Sequence, residues 1–172
     1  MAKVIVFRGK AGVGKTTIST IVSKKMNIPI IRKDDIYDSI AGYVEGHELR
    51  NSISYEVLLK IVETNLFCGV DVIVDAGFHR LEDILQFKDQ IKIENTKFVS
   101  LLCICSDENI WAARVNERRL NPRPNNLITD FKKLKLYYKS LETDALEGEK
   151  VLDTVDSLKN LVSEAVLEIS KY

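Results

Sequence analysis

The residues best suited to chemistry lie near the start of the chain, in the glycine-rich stretch GKAGVGKTT at 9–17. This stretch matches the pattern G-x-x-x-x-G-K-[ST] of a phosphate-binding loop. Glycines can adopt a positive φ and let backbone N–H groups close around phosphate oxygens. Lys15 can reach the β- and γ-phosphates, and the Thr16 hydroxyl can ligate Mg²⁺. The stretch therefore predicts an ATP site formed by Gly9, Lys10, Ala11, Gly12, Val13, Gly14, Lys15, Thr16 and Thr17.

The residues on either side of the loop have the pattern that such a site needs. A short apolar run at 3–7 precedes it, and apolar residues recur at helical spacing after it, at Ile18, Ile21, Val22 and Met26. The motif is expected between a strand and a helix, because the positive end of the helix then points at the bound anion. A chance glycine-rich turn would not need this context.

A carboxylate follows a second apolar run. Asp75 closes the run at 72–74, and this is the position from which an acidic side chain holds Mg²⁺ beside a phosphate loop. The alternative is that Asp75 only caps the next helix. We expect the metal ligands to be Thr16 and Asp75.

Two further carboxylates, Asp34 and Asp35, follow a short apolar run at 28–31. Phosphoryl transfer to a hydroxyl needs a base or a positioning group at the attacking oxygen, and a carboxylate suits that role. One of the two can instead cap the following helix. The pair is therefore a candidate for the acceptor side of the reaction.

Three arginines lie in one predicted helix, just before the proline-flanked break at 121–126. Arg114 and Arg118 are four residues apart and share a face. Arg118 or Arg119 could reach over the phosphates and stabilise charge in the transition state, while Arg114 is a candidate nucleotide contact. The alternative is a solvated basic face. Residues 114–130, the lid segment, are expected to form a hinged lid.

The loop after Asp75 is predicted to face the same cleft. Arg80 could hold an anionic group of the acceptor, and Phe78 and His79 are further candidate contacts, although His79 is also consistent with an ordinary loop residue. The segment 95–98 lacks the aspartate of a guanine-specificity motif, which disfavours a GTPase.

Apolar runs and helical patterns alternate five times along the chain. We predict strands at 3–7, 28–31, 70–75, 97–105 and 150–153, and helices ending near Met26 and over 34–41, 54–67, 81–91, 106–120, 129–141 and 156–170. Residues 42–50 are expected to form a loop. This alternation indicates an α/β fold, a parallel sheet covered by helices on both faces, in a single domain spanning 1–172.

Composition narrows the class of partner. The chain has 25 basic and 25 acidic residues, so its net charge gives no support for binding nucleic acid or an anionic membrane. No apolar run approaches the length of about 20 residues that a transmembrane helix needs. The three cysteines lack metal-ligand spacing and are expected to be buried thiols. We expect a cytoplasmic protein, monomeric or homodimeric.

Together these motifs resemble the small P-loop kinases, the group that includes polynucleotide 5′-kinase, chloramphenicol phosphotransferase and gluconate or shikimate kinase-like proteins. The resemblance covers nearly the whole chain and rests on 9–16, on Arg-Lys-Asp-Asp at 32–35, on 72–78 and on the arginines before the lid segment. It implies a five-stranded sheet of order 2-3-1-4-5 with a helical lid, Asp34 as the general base, and a nucleotide contact from Arg118 or Arg119.

One position departs from the polynucleotide kinases that the arrangement resembles. Their arginine for the nucleic-acid phosphate, three residues past the catalytic aspartate, is here Tyr37, which we expect near the acceptor. The first hypothesis is therefore an ATP- and Mg²⁺-dependent kinase of a small hydroxyl compound, with Lys15, Asp34 and Arg118 or Arg119 as catalytic residues. A polynucleotide 5′-hydroxyl kinase is the second hypothesis. The third is a nucleotide-switched ATPase module that acts through a protein partner.

Overall fold

The computed structural model describes residues 1–172, which form one five-stranded sheet and seven helices. The strands are β1 (Lys3–Arg8), β2 (Ile30–Arg32), β3 (Val72–Asp75), β4 (Lys97–Ile104) and β5 (Lys150–Asp153). The helices are α1 (Lys15–Met26), α2 (Lys33–Ile40), α3 (His47–Phe67), α4 (Leu81–Gln90), α5 (Glu108–Glu117), α6 (Phe131–Tyr138) and α7 (Leu158–Ser170). A 3₁₀ turn, Arg118–Leu120, extends α5.

All strand pairs are parallel, and the order across the sheet is β2-β3-β1-β4-β5. The predicted fold class and strand order are confirmed. Parallel neighbours require a crossover, and helices supply each one. No helix is both long enough and apolar enough to cross a membrane.

The central strand is buried on both faces. Alternate side chains of β1 enter two separate cores: Ile5 and Phe7 pack in one, and Val4 and Val6 in the other. The first core is covered by α1, α5 and α7, and the second by α3 and α4. Burial on both faces explains why the strands read as nearly continuous apolar runs.

The register of the central strands brings the candidate site residues to one edge. Asp75 at the end of β3 lies opposite Phe7 of β1 on one side and Arg32 of β2 on the other. The segments that follow these three residues are the phosphate loop, the start of α2 and the loop at 76–80. Parallel sheets bind ligands at this carboxyl edge because the loops converge there.

Several predicted boundaries were wrong by a few residues because the capping residues differ. The expected loop at 42–50 ends early, since α3 already begins at His47 after Gly46 at φ 83°. Asp107 rather than Ser106 caps α5, accepting bonds from the N–H groups of Asn109 and Ile110. Asp130 caps α6, so that helix starts after the expected Thr129. Of the three free cysteines, Cys103 and Cys105 are buried as expected, but Cys68 is exposed.

Candidate active site

The phosphate loop has the backbone conformation that the sequence predicts. Gly9, Gly12 and Gly14 have φ values of 136°, 82° and 104°. A Cβ at Gly12 would lie 2.6 Å from Cγ2 of Val115, so α5 packs directly against the loop. The Lys15 ammonium donates to the Lys10 carbonyl at 2.9 Å, which holds it over the loop.

Side chains from α5 and from the end of β5 hold the outer side of the loop. The Trp111 indole N–H donates to the Ala11 carbonyl at 2.9 Å. Arg114 donates to the Val13 carbonyl at 3.2 Å and to the Thr154 hydroxyl at 2.7 Å. Arg114 therefore positions the loop as well as lining the cavity beside it.

Two cations near the start of the loop, Arg8 and Lys10, bind other groups of the chain. The Lys10 ammonium donates to the carbonyls of Ser140 and Glu142. Arg8, fully buried, pairs with Glu149 at 2.6 Å and donates to the Phe78 carbonyl at 3.1 Å. These bonds tie the start of the loop to the segment before β5.

Asp75 has the environment of a metal ligand. It is 6% exposed, and the Ser19 hydroxyl donates to it at 3.4 Å. Burial raises the pKa of Asp75, while Lys15 and the Thr16 hydroxyl oppose that rise. A buried carboxylate in this position fits a cation. No three His, Cys, Asp or Glu side chains gather into a metal cluster, so a Mg²⁺ ion held by Thr16 and Asp75 would depend on phosphate oxygens and water.

Two cavities open at this edge of the sheet. The phosphate-loop cavity has a volume of about 360 Å³, and its walls include Lys15, Thr16, Thr17 and Arg114. The large cavity, about 810 Å³, lies between α3, α4, α6 and the lid segment. Arg118 lines both.

The two candidate lid arginines have different surroundings. Arg119 points away from the loop: it donates to the Thr129 carbonyl at 2.8 Å and forms an ion pair with Asp130. Arg118 stands where the two cavities meet. Of the pair, only Arg118 lines a cavity.

Asp34 and Asp35 lie in the first turn of α2, and neither caps it. Asp35 pairs with Arg32 at 3.3 Å, on the side that faces Thr20. The Asp34 carboxylate is 62% exposed, and its only ion-pair partner is Lys33, at 3.9 Å. Burial, assisted by the charge of Asp34, raises the pKa of both Asp75 and Tyr55. The charge of Asp34 thus acts on both buried groups, although neither Asp34 nor Asp35 lines either cavity.

The structure brings only part of the predicted acceptor set into the large cavity. Phe78, His79 and Arg80 line it. Burial lowers the pKa of His79, which favours its neutral form. Tyr37 lines neither cavity, because α2 turns its ring inward and its hydroxyl pairs with Nδ1 of His47 at 3.0 Å.

A comparison with protein families decides where this chain belongs. Residues 4–134, more than half of its length, match the model of the family described as AAA domain. The chain belongs to this family. No curated protein sequence matches the chain.

Solved structures show that this AAA domain has the fold of the small P-loop kinases. A Chloroflexus aurantiacus protein provisionally assigned as a kinase is 17% identical, with a TM-score of 0.76 over 99% of this chain and 97% of that one. A gluconokinase from Sinorhizobium meliloti is 12% identical, with a TM-score of 0.69 over 99% and 92%. The Mycobacterium tuberculosis APS kinase in complex with AMPPNP and APS is 14% identical, with a TM-score of 0.64 over 98% of both chains.

Several residues of this site escaped the sequence analysis. Lys33, Tyr55 and Tyr138 line the large cavity, and Thr154 lines the phosphate-loop cavity. The sequence could have indicated two of them: Thr154 is the first residue after β5, and Lys33 is adjacent to Asp34. It could not have indicated Tyr138, whose hydroxyl accepts a bond from the N–H of Ala11 across 127 positions.

Proposed function

We propose that this AAA domain is an ATP- and Mg²⁺-dependent kinase that moves the γ-phosphate of ATP to a hydroxyl of a small molecule. The observation that carries the proposal is Arg118, which lines both the phosphate-loop cavity and the large cavity. A module that only hydrolyses ATP needs no second cavity. The size of this one lies within the range of about 300–1,000 Å³ that small-molecule sites occupy.

The residues of the site have separate roles in the proposed reaction. Asp34 takes the proton of the acceptor hydroxyl, whose oxygen bonds to the γ-phosphorus as the bond from that phosphorus to the bridging oxygen of ADP breaks. Lys15 and Arg118 stabilise the charge on the phosphoryl oxygens. Mg²⁺, held by Thr16 and Asp75, would neutralise charge on the β- and γ-phosphates. Two of the structurally similar proteins, the gluconokinase and the APS kinase, are themselves named as kinases, which supports this assignment.

The test is ADP production with Mg²⁺ across a panel of neutral polyols, hydroxy acids, aromatic alcohols and 5′-hydroxyl oligonucleotides. Arg118→Met and Arg119→Met, neighbouring arginines with different contacts, serve as a matched pair. We expect turnover that depends on a small acceptor and falls about 10²-fold or more in Arg118→Met, with a much smaller loss in Arg119→Met.

Two results would contradict the proposal. Slow turnover that no acceptor changes would favour the nucleotide-switched module. Turnover stimulated only by oligonucleotides, with a steep dependence on salt, would favour the polynucleotide kinase.

A further inference from the structure

Lys33 is a buried cation whose hydrogen-bonding capacity the chain does not use. Its side chain is 10% exposed, and the residue lines the large cavity. The ammonium donates no hydrogen bond to another residue: the nearest carboxylate oxygen, Oδ1 of Asp34, is 3.9 Å away. Lys33 Nζ is not among the fully enclosed side-chain atoms that lack a partner, so its free donors are open to an oxygen atom from outside the chain.

Aromatic rings hold this ammonium in place. Its nitrogen lies 4.6 Å from the ring centroid of Tyr37 and 5.4 Å from that of Tyr55. Burial lowers the pKa of Lys33, and the charges of Asp34 and Asp38 oppose that shift. The rings accept the positive charge but leave its N–H donors free to bind a ligand.

The position of Lys33 relates it to the reaction. A hydrogen bond from an ammonium to an oxygen spans about 2.8 Å. An oxygen bound to Lys33 would therefore lie within about 7 Å of the Asp34 carboxylate, so both residues can contact oxygens of one small molecule.

The rest of the large cavity indicates what that molecule is. Its walls combine aromatic rings, among them Tyr55 and Tyr138, with polar side chains that accept hydrogen bonds: Glu48, Asn51, Glu56, Asp83, Gln86 and Gln90. Carboxylates and amides accept bonds from hydroxyl groups, and aromatic faces pack against C–H groups.

The charges favour an acceptor without a negative charge. Lys33 already has Asp34 as a counter-charge, and Arg80 has Asp83 at 3.9 Å. Arg118 lies at the boundary with the phosphate-loop cavity. Glu48 and Glu56 form no ion pair, and they would repel an anion.

We propose that Lys33 determines acceptor specificity by binding a second oxygen near the hydroxyl that Asp34 activates, and that the acceptor is an uncharged polyhydroxylated molecule. This inference rests on the proposed function. It assigns to α2 two adjacent residues with separate tasks, one that removes a proton and one that holds the acceptor.

The test compares Lys33→Met, which keeps the length of the side chain, with Lys33→Arg, which keeps the charge. Lys60→Met is the control, because Lys60 is exposed, pairs only with Glu63 and lines neither cavity. Glycerol, ribitol, glucose and myo-inositol are the neutral probes, gluconate is the anionic one, and the best neutral acceptor is compared with its monodeoxy analogues.

We expect Lys33→Met to raise the acceptor KM of the best polyol about 10- to 100-fold and to leave the KM of ATP unchanged. One monodeoxy analogue should lose this difference between wild type and variant, because the oxygen that Lys33 binds is missing. Lys33→Arg should restore part of the affinity, and thermal melts should show all variants folded. A merely structural role would affect the polyol and all its analogues equally, and that result would overturn the inference, as would a preference for gluconate.

Calorimetric titration of the polyols into the protein with AMPPNP separates this inference from the proposed function. Wild type that binds a polyol but never phosphorylates one would contradict the proposed kinase, while weaker binding by Lys33→Met would still support the role of Lys33. Wild type that binds none of the neutral probes would overturn the inference, even if another acceptor is phosphorylated.

Discussion

At the scale of one residue, the burial of Asp75, the proposed Mg²⁺ ligand, lowers the stability of the free protein. The folded state raises the pKa of this carboxyl above its ordinary value, chiefly through burial. A raised pKa in the folded state means that folding favours the neutral acid. The destabilising effect of the charged form is therefore absent below the unfolded pKa and grows as pH rises through the folded pKa.

Replacing Asp75 by Asn should therefore stabilise the protein in the absence of ATP and Mg²⁺. At pH 7 we expect the Tm to rise by about 2–4 °C for each 1 kcal/mol by which the free energy of unfolding increases. This increase should vanish as pH falls toward 4. The same variant should lose Mg²⁺-dependent turnover. Scanning calorimetry at several pH values checks this, with Asp35→Asn as an exposed control. A lower Tm for Asp75→Asn at pH 7 would contradict the explanation.

At the scale of elements, the lid segment is attached directly to the helix that carries Asp34. The Asp38 carboxylate of α2 accepts two bonds from Asn125, from its backbone N–H at 2.8 Å and its side-chain amide at 2.6 Å. Residues 125–128 form part of the wall of the large cavity. These bonds therefore join this part of the cavity wall to α2.

Asp38→Ala should release the lid segment without disturbing the phosphate loop. We expect the acceptor KM to rise about 5- to 20-fold, the loss of about 1–2 kcal/mol of hydrogen bonding, with little change in the KM of ATP. Hydrogen exchange should accelerate at 121–128 and stay unchanged at 9–17. Equal protection of 121–128 in variant and wild type would show that the Asp38–Asn125 contact does not hold the lid segment.

The elements also show which features of the fold can be predicted from local sequence patterns. The spacing of apolar residues predicted every strand and helix of this fold, because each element buries its apolar face against a neighbour. Helix ends were less predictable: Ser106 and Asp107 are both good caps, and only the backbone geometry selects Asp107. The second cavity could not be predicted, since α3, α4 and α6 form its walls from distant parts of the chain.

At the scale of the whole molecule, a buried ion pair connects the end of β1 to the residue before β5. Arg8 and Glu149 form an ion pair with side-chain exposures of 0% and 1%, across 141 positions. Breaking a buried pair of this kind costs about 3–5 kcal/mol, because it leaves an unpaired charge in the interior. Through its bond to the Phe78 carbonyl, Arg8 also fixes a residue whose φ of 35° is unusual for phenylalanine. No local pattern in the sequence indicates such a contact.

The phosphate loop, the Asp75 position and the alternation of strands and helices could thus be predicted, since each depends on neighbouring residues. The strand order came from the resemblance to the small P-loop kinases, because spacing alone indicates only a parallel sheet. Arg118 and Arg119 could be distinguished only from the structure, because they are adjacent in sequence but only Arg118 lines the cavities.

In the proposed reaction, Asp34 activates a hydroxyl for attack on the γ-phosphate. The most direct measurement follows labelled γ-phosphate from ATP into the acceptor for wild type, Asp34→Asn and the neighbouring Asp35→Asn. We predict a fall in kcat of about 10²-fold or more for Asp34→Asn with little change in the KM of ATP, and a far smaller fall for Asp35→Asn. Equal transfer by wild type and Asp34→Asn, or label released only as free phosphate, would contradict the claim.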